Sequence, residues 1–242
     1  MNGYDYSWKF MLPPRCKEKI WCLVGRISGA AYASAVRHSL MTNSNRANSK
    51  NENDYNSGNL NSDEDPNLVE RLGKFGEMLL GEFFGVPIDH AFRQGGDGGF
   101  DFVLMGLKTD VKVSSGTYHG KVFFYATTKG GFKIKRKAHI YIPSYLLIED
   151  RVVGFAEIVY VGWNKREWFV TQTQVKSPLK DSVHLNYDMY FHDTHDLRRL
   201  VGYWQKNYPA HYPAPGAAGQ RLVIPEWDIS AGHLRDGECA LF

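Results

Sequence analysis

The chain has 242 residues, 43% hydrophobic, 14% aromatic and 23% charged, enough for one large or two small domains with a proper core. A net charge of +3 names no partner, and three cysteines (Cys16, Cys22, Cys239) without a CxxC pair argue against a disulfide framework or a cysteine metal site. MNGYDYSWKF lacks the basic-then-apolar order of a leader, and the apolar stretch 20–36 is broken by Arg26 and two glycines, so the expectation is an intracellular protein without a membrane span.

In chain order, residues 1–41 read as an N-terminal extension with a short helix over Gly29–Leu40. Residues 42–66 follow, TNSNRANSKNENDYNSGNLNSDEDP, in which eight of 25 residues are asparagine. Almost nothing there can enter a core, so 42–65 is expected to be a disordered linker or insertion. Order resumes at residue 66. Leu68, Leu72, Phe75, Leu79 and Phe83 recur at helical spacing, with Pro66 at the first turn and Gly85 closing the helix. Strand-like runs follow at Phe100–Met105, Leu107–Ser114, Val122–Thr127, Ala138–Ile148, Val152–Gly162 and Glu167–Thr173, the last two flanking a WNKR turn. A second helix is expected over Thr194–Lys206, with Asp193 and Asp196 as capping residues, and one more strand at Arg221–Ile224 in a turn-rich tail. A helix, a run of strands and a helix read as an α/β or α+β sheet domain over 66–242, with α/β taken as the fold class.

The chemistry concentrates in GGFDFVLMGLKTDVKVSSG, residues 98–116. If Phe100–Leu104 and Leu107–Lys112 pair around Met105-Gly106, glycine in the second loop position suits a type I′ turn. The register then sets 104 against 107, 103 against 108, 102 against 109 and 101 against 110. Asp101 faces Asp110 with Cβ atoms about 5 Å apart, where like charges repel. Lys112 projects from the same face as Asp110, while Val111 and Val113 point to the other. Two acids and a lysine on one patch call for a cation, and oxygen ligands select Mg²⁺ or Mn²⁺.

Asp101, nine residues and then Asp110-Val111-Lys112 resemble the signature of the PD-(D/E)XK, restriction-endonuclease-like nucleases, with Phe100 in the place of the family's proline. The helix with "GKFGE" resembles the family's upstream helix, whose glutamate joins the metal site in many members. The resemblance spans 66 to about 172 and implies a mixed β-sheet flanked by helices. It also implies an Mg²⁺- or Mn²⁺-dependent hydrolase of phosphodiester bonds, with Asp101, Asp110, Glu77 and the Val111 carbonyl at the metal and Lys112 beside the attacked phosphate. Glu77 is preferred over Glu70 and Glu82 because it lies at the edge of the apolar stripe, with Gly73 and Gly81 at i−4 and i+4 leaving room for a ligand.

From Lys108 to Lys137 there are eight Lys/Arg and one acid, as a phosphate-facing surface requires. Lys121, Lys129, Lys133, Lys135, Arg136 and Lys137 are the expected nucleic-acid contacts. His192 and His195 read as capping residues in place of metal ligands, and GGDGG at 95–99 lacks the Lys-Ser/Thr of a P-loop. The reading is a metal-dependent nuclease with DNA as favoured partner. The alternatives are a non-catalytic nucleic-acid-binding or assembly protein of the same fold, or a nuclease acting on RNA. Nothing in the chain fixes oligomeric state, a homodimer included.

Overall fold

The computed structural model describes residues 3–47, 67–88, 99–115, 120–127, 131, 136–176 and 185–208. Its elements are β1 (Tyr4–Met11), β2 (Ile20–Ser28), α1 (Gly29–Ala47), α2 (Leu68–Phe84), β3 (Phe102–Leu104), β4 (Leu107–Ser114), β5 (Lys121–Tyr125), β6 (Ile140–Asp150), β7 (Phe155–Tyr160), β8 (Gly162–Lys165), β9 (Val175–Lys176), β10 (Leu185–Tyr190), β11 (His195–Asp196) and α3 (Leu197–Asn207). The main sheet runs β1-β2-β7-β6-β4-β3, with β8 joined to β6 and β11, and a small sheet runs β5-β10-β9. Every pairing is antiparallel except β4 with β6. The fold is thus mixed α/β. Among the described residues no helix is long and apolar enough to cross a membrane.

Alternation along the strands builds two cores. Leu23, Ile27, Val111, Ile142, Ile158 and Tyr160 point to one face, where Phe75, Leu79 and Phe83 of α2, Tyr32 and Ala35 of α1 and Leu200 and Trp204 of α3 cover them. Cys22, Val24, Tyr141, Tyr145 and Val159 point to the other, under Val122, Phe124 and Met189 of the small sheet and Phe191 just after β10. Each large side chain buried in this way contributes about 1.5–3 kcal/mol. The helices therefore form one layer, the main sheet the middle and the small sheet the third.

Several expectations are corrected. Residues 4–40 are no extension: β2 lies between β1 and β7 inside the sheet. Helix α1 continues through Ala47, into the segment expected as linker; residues 48–66 lie outside the described part. The run Glu167–Thr173, expected as a strand, is a 3₁₀ helix over Arg166–Thr171, and the supposed WNKR turn is strand, with residues 163–165 belonging to β8. The cause is the docking of β11: Gly162 lies so close to Thr194 and His195 that a Cβ would stand 2.2 Å from Thr194 Oγ1, and the chain stays extended there to pair with both β11 and β6. Asp196 caps α3 as expected, its carboxylate accepting from the Arg198 N–H at 2.9 Å. The tail strand at Arg221–Ile224 lies outside the described residues.

Helix α2 sits on β4 through a glycine the sequence did not single out. A Cβ on Gly76 would lie 2.4 Å from Val113 Cγ2 and 3.3 Å from Val111 Cγ1, so the helix reaches the strand only because position 76 has no side chain. Tyr160 fastens the same spot by donating its hydroxyl to the Gly76 carbonyl at 2.8 Å. Gly76→Val is expected to destabilise the protein by about 1–3 kcal/mol through overpacking. Gly73→Ala, whose Cβ would meet only Glu77 Oε1 at 4.0 Å, should instead gain up to about 1 kcal/mol of helix propensity. Urea midpoints of the two variants measure the contrast.

Candidate active site

The β3–β4 hairpin has the expected register: Leu104 opposite Leu107, Val103 opposite Lys108 and Phe102 opposite Thr109. Met105 and Gly106 turn the chain with φ of 52° and 77°, the pair of positive values a type I′ turn requires. One step beyond the ladder stands Asp101. The Asp101 N–H donates to the Thr109 carbonyl at 2.8 Å, and its carboxylate accepts the Val111 N–H at 2.5 Å. The side chain thus continues the ladder where the strand has ended, and this fixes its position at the edge of β4.

Charge gathers around it. Asp101 is buried, and that burial first, then Glu77 and Asp110, hold its carboxyl well above the usual carboxylate range; Lys112 and the Val111 N–H pull the other way. Lys112 Nζ lies 2.8 Å from Asp110 Oδ1. Glu77 comes from α2 and is ion-paired with Lys74 one turn earlier. Below it the Tyr160 phenol is pushed up by burial and by Glu77. The four side chains expected to form the site, Glu77, Asp101, Asp110 and Lys112, therefore meet at one end of the hairpin.

The donor set suits a hard divalent cation: carboxylate oxygens plus the Val111 carbonyl, which on a strand leaves from the same edge as the N–H that Asp101 accepts. Among the described residues no three His, Cys, Asp or Glu side chains are drawn into a ready ion cage; lysines engage Asp110 and Glu77 instead.

The basic residues divide. Lys121 is ion-paired with Asp188 and lies against the rings of Phe123 and Tyr190 at 5.3 and 5.2 Å, only 16% exposed. It fastens β5 to β10, and its ammonium is already engaged by Asp188. Lys137 is exposed, Arg136 packs inward, and Lys129, Lys133 and Lys135 lie outside the described residues. His195 packs against Trp163 at 5.1 Å and His192 lies 3.5 Å from Asp193, both away from the hairpin. Reading by residue missed Lys74, whose signal is the i to i+3 spacing to Glu77.

Asp101 yields a stability prediction with a definite sign. Its carboxyl is raised in the folded chain, so the folded state binds the proton more tightly and stability is lost as pH rises above the unfolded value of about 3.9. Asp101→Asn keeps an acceptor for the Val111 N–H and removes the charge. It should melt higher than wild type at pH 8, with the difference closing as pH falls toward about 4 and absent below it. Equal melting curves at both pH values would contradict the crowding of charge.

No protein-family model matches the chain, and no curated protein and no solved structure matches it significantly.

Proposed function

We propose that this chain is a metal-dependent nuclease with a restriction-endonuclease-like core, hydrolysing phosphodiester bonds of DNA. One observation carries the reading: a buried aspartate is set near two further carboxylates beside β4, with Lys112 next to Asp110 on that strand, a crowding of charge that the hydrogen bond of Asp101 to the Val111 N–H does not itself require. Opposed carboxylates are unnecessary for holding a nucleic acid and damaging for anionic ligands. They are what a cation placed against a phosphate needs.

Asp101, Asp110, Glu77 and the Val111 carbonyl would hold Mg²⁺ or Mn²⁺. Such an ion, when bound, polarises the phosphoryl oxygens and makes a bound water acidic. Lys112, 42% exposed, carries its ammonium to the mouth of the site, where it orients the attacking water and balances charge on the phosphoryl group. The net cation excess of 108–137 supplies the field that draws a polyanion in.

The test is incubation of the purified protein with plasmid, linear and branched DNA and with RNA, in Mg²⁺, Mn²⁺ or EDTA. Cleavage that EDTA abolishes is the expected result, and the substrate panel separates DNA from RNA. Binding without cleavage of any substrate would instead favour a non-catalytic nucleic-acid-binding module.

A further inference from the structure

Arg136 belongs to the basic run 133–137 in sequence, yet its guanidinium turns into the fold. Its central carbon lies 5.3 Å from the centroid of the Phe169 ring and 5.9 Å from that of Phe124. Those rings meet edge-on at 4.9 Å, and both pack against Tyr141, at 4.8 and 5.2 Å. Tyr141 in turn is the β6 neighbour of Asp110 across the parallel ladder. The guanidinium is therefore mounted on an aromatic wall beside the acidic hairpin. Its Nε and one terminal nitrogen are shielded from solvent and find no acceptor among the described residues.

Two shielded N–H donors without acceptors are costly, and a guanidinium does not escape by losing its proton. Burial lowers its affinity for that proton, opposed by Tyr141, Asp110 and Tyr187. The planar fork fits two oxygens of one tetrahedral anion, and the rings hold it in place without consuming its donors.

We infer that Arg136 is the phosphate-binding residue of this site, its fork receiving the non-bridging oxygens of the phosphodiester presented to Asp101 and Asp110. This rests on the nuclease reading for the identity of that phosphate. It separates Arg136 from Lys129, Lys133, Lys135 and Lys137, whose charges act on the polyanion as a whole.

Arg136→Met, Arg136→Lys and a variant with Lys129, Lys133, Lys135 and Lys137 all changed to Gln are compared by three measurements. These are thermal melting, cleavage kinetics in Mg²⁺ or Mn²⁺, and anisotropy of fluorescein-labelled single- and double-stranded 20-mers in EDTA at several salt concentrations. Arg136→Met should lower kcat by roughly 10²–10³-fold, the scale of one missing transition-state donor, with KM little changed. Its melting temperature should stay level or rise, because a methionine on the same rings removes a buried charge; a residue serving structure alone would melt lower. Arg136→Lys, a point charge without the fork, should fall between. The four-lysine variant should instead raise KM and flatten the salt dependence of binding, by about 0.9 in log–log slope for each phosphate of duplex DNA that the protein no longer neutralises.

Wild-type kcat in Arg136→Met, or a loss of activity that follows a lower melting temperature in both Arg136 variants, would overturn the inference. If the wild-type protein cuts nothing, the nuclease reading falls and binding decides. A loss of about tenfold or more in 20-mer affinity on Arg136→Met, roughly 1.4 kcal/mol, keeps Arg136 as a phosphate-binding residue. Unchanged affinity, or no binding by the wild type, overturns that as well.

Discussion

Asp110→Asn is expected to abolish cleavage, by about 10³-fold or more, while the protein folds as before; Lys112→Ala should cost roughly 10²–10³-fold. Asp110 supplies the carboxylate on β4 whose charge acts on Asp101, and the amide oxygen that replaces it is a neutral, weaker ligand for a hard cation. The folding cost is small, because its partner Lys112 is 42% exposed and such pairs contribute about 0–1 kcal/mol. The two variants should differ in stability as well as in rate. Asp110 raises the Asp101 carboxyl and Lys112 lowers it, so at neutral pH Asp110→Asn relieves charge crowding while Lys112→Ala worsens it. Measurement of kcat beside melting curves at pH 8 tests both statements. Cleavage at the wild-type rate by both variants would place the site elsewhere.

The largest stability effect should come from a buried ion pair that joins three elements. Arg71 of α2 grips Glu149 of β6 through Nε to Oε1 at 2.8 Å and Nη2 to Oε2 at 3.0 Å, and the two side chains are only 6% and 7% exposed. Tyr32 of α1 donates to the same carboxylate at 2.9 Å, and burial and then Glu149 push its phenol up to about 12. Glu149→Ala leaves a guanidinium and a hydroxyl buried without that acceptor, at a cost of about 3–5 kcal/mol. For a chain of this size each kcal/mol shifts melting by roughly 2–4 °C, so a drop on the order of 10 °C is expected. The paired change Arg71→Met with Glu149→Leu should recover most of it, since apolar groups of similar size leave no stranded charge. A drop of only a degree or two in Glu149→Ala would show that solvent reaches the pair.

The parts of this fold legible in the sequence are those with local rules. The hairpin register followed from a two-residue turn with glycine second, and α2 from the spacing of five apolar residues and a closing Gly85, which takes φ of 59°. Asp101, Asp110 and Lys112 could be grouped from the hairpin alone, while Glu77 was joined to them by the resemblance of its helix to that of the restriction-endonuclease-like nucleases. What depends on distant contacts was not legible. Residues 20–28 read as an apolar stretch without direction because β2 is buried on both faces, its partner β7 lying more than 120 residues away. Phe169 has the composition of a strand residue but packs as one corner of a ring cluster on a 3₁₀ helix. Lys121 and Arg136 counted equally as positive charge; Asp188 and two phenylalanine rings, remote in sequence, separate their roles.

The position of β2 also bears on how the chain is made. On the ribosome, β1 and β2 emerge well before β7 and can form their hairpin at once, but the other side of β2 has no neighbour until Phe155–Tyr160 has been synthesised. Leu23, Val24 and Ile27 must wait through the synthesis of both acids of the hairpin before they are covered. A long unpaired strand edge is a template for other chains, and closure across such a separation is slow. Leu23, Val24 and Ile27 are thus open to association until β7 is made and are buried afterwards. A fragment beginning at residue 66 would keep every member of the acidic cluster while stripping β7 of one of its two partners, and would be expected to aggregate before it could be assayed.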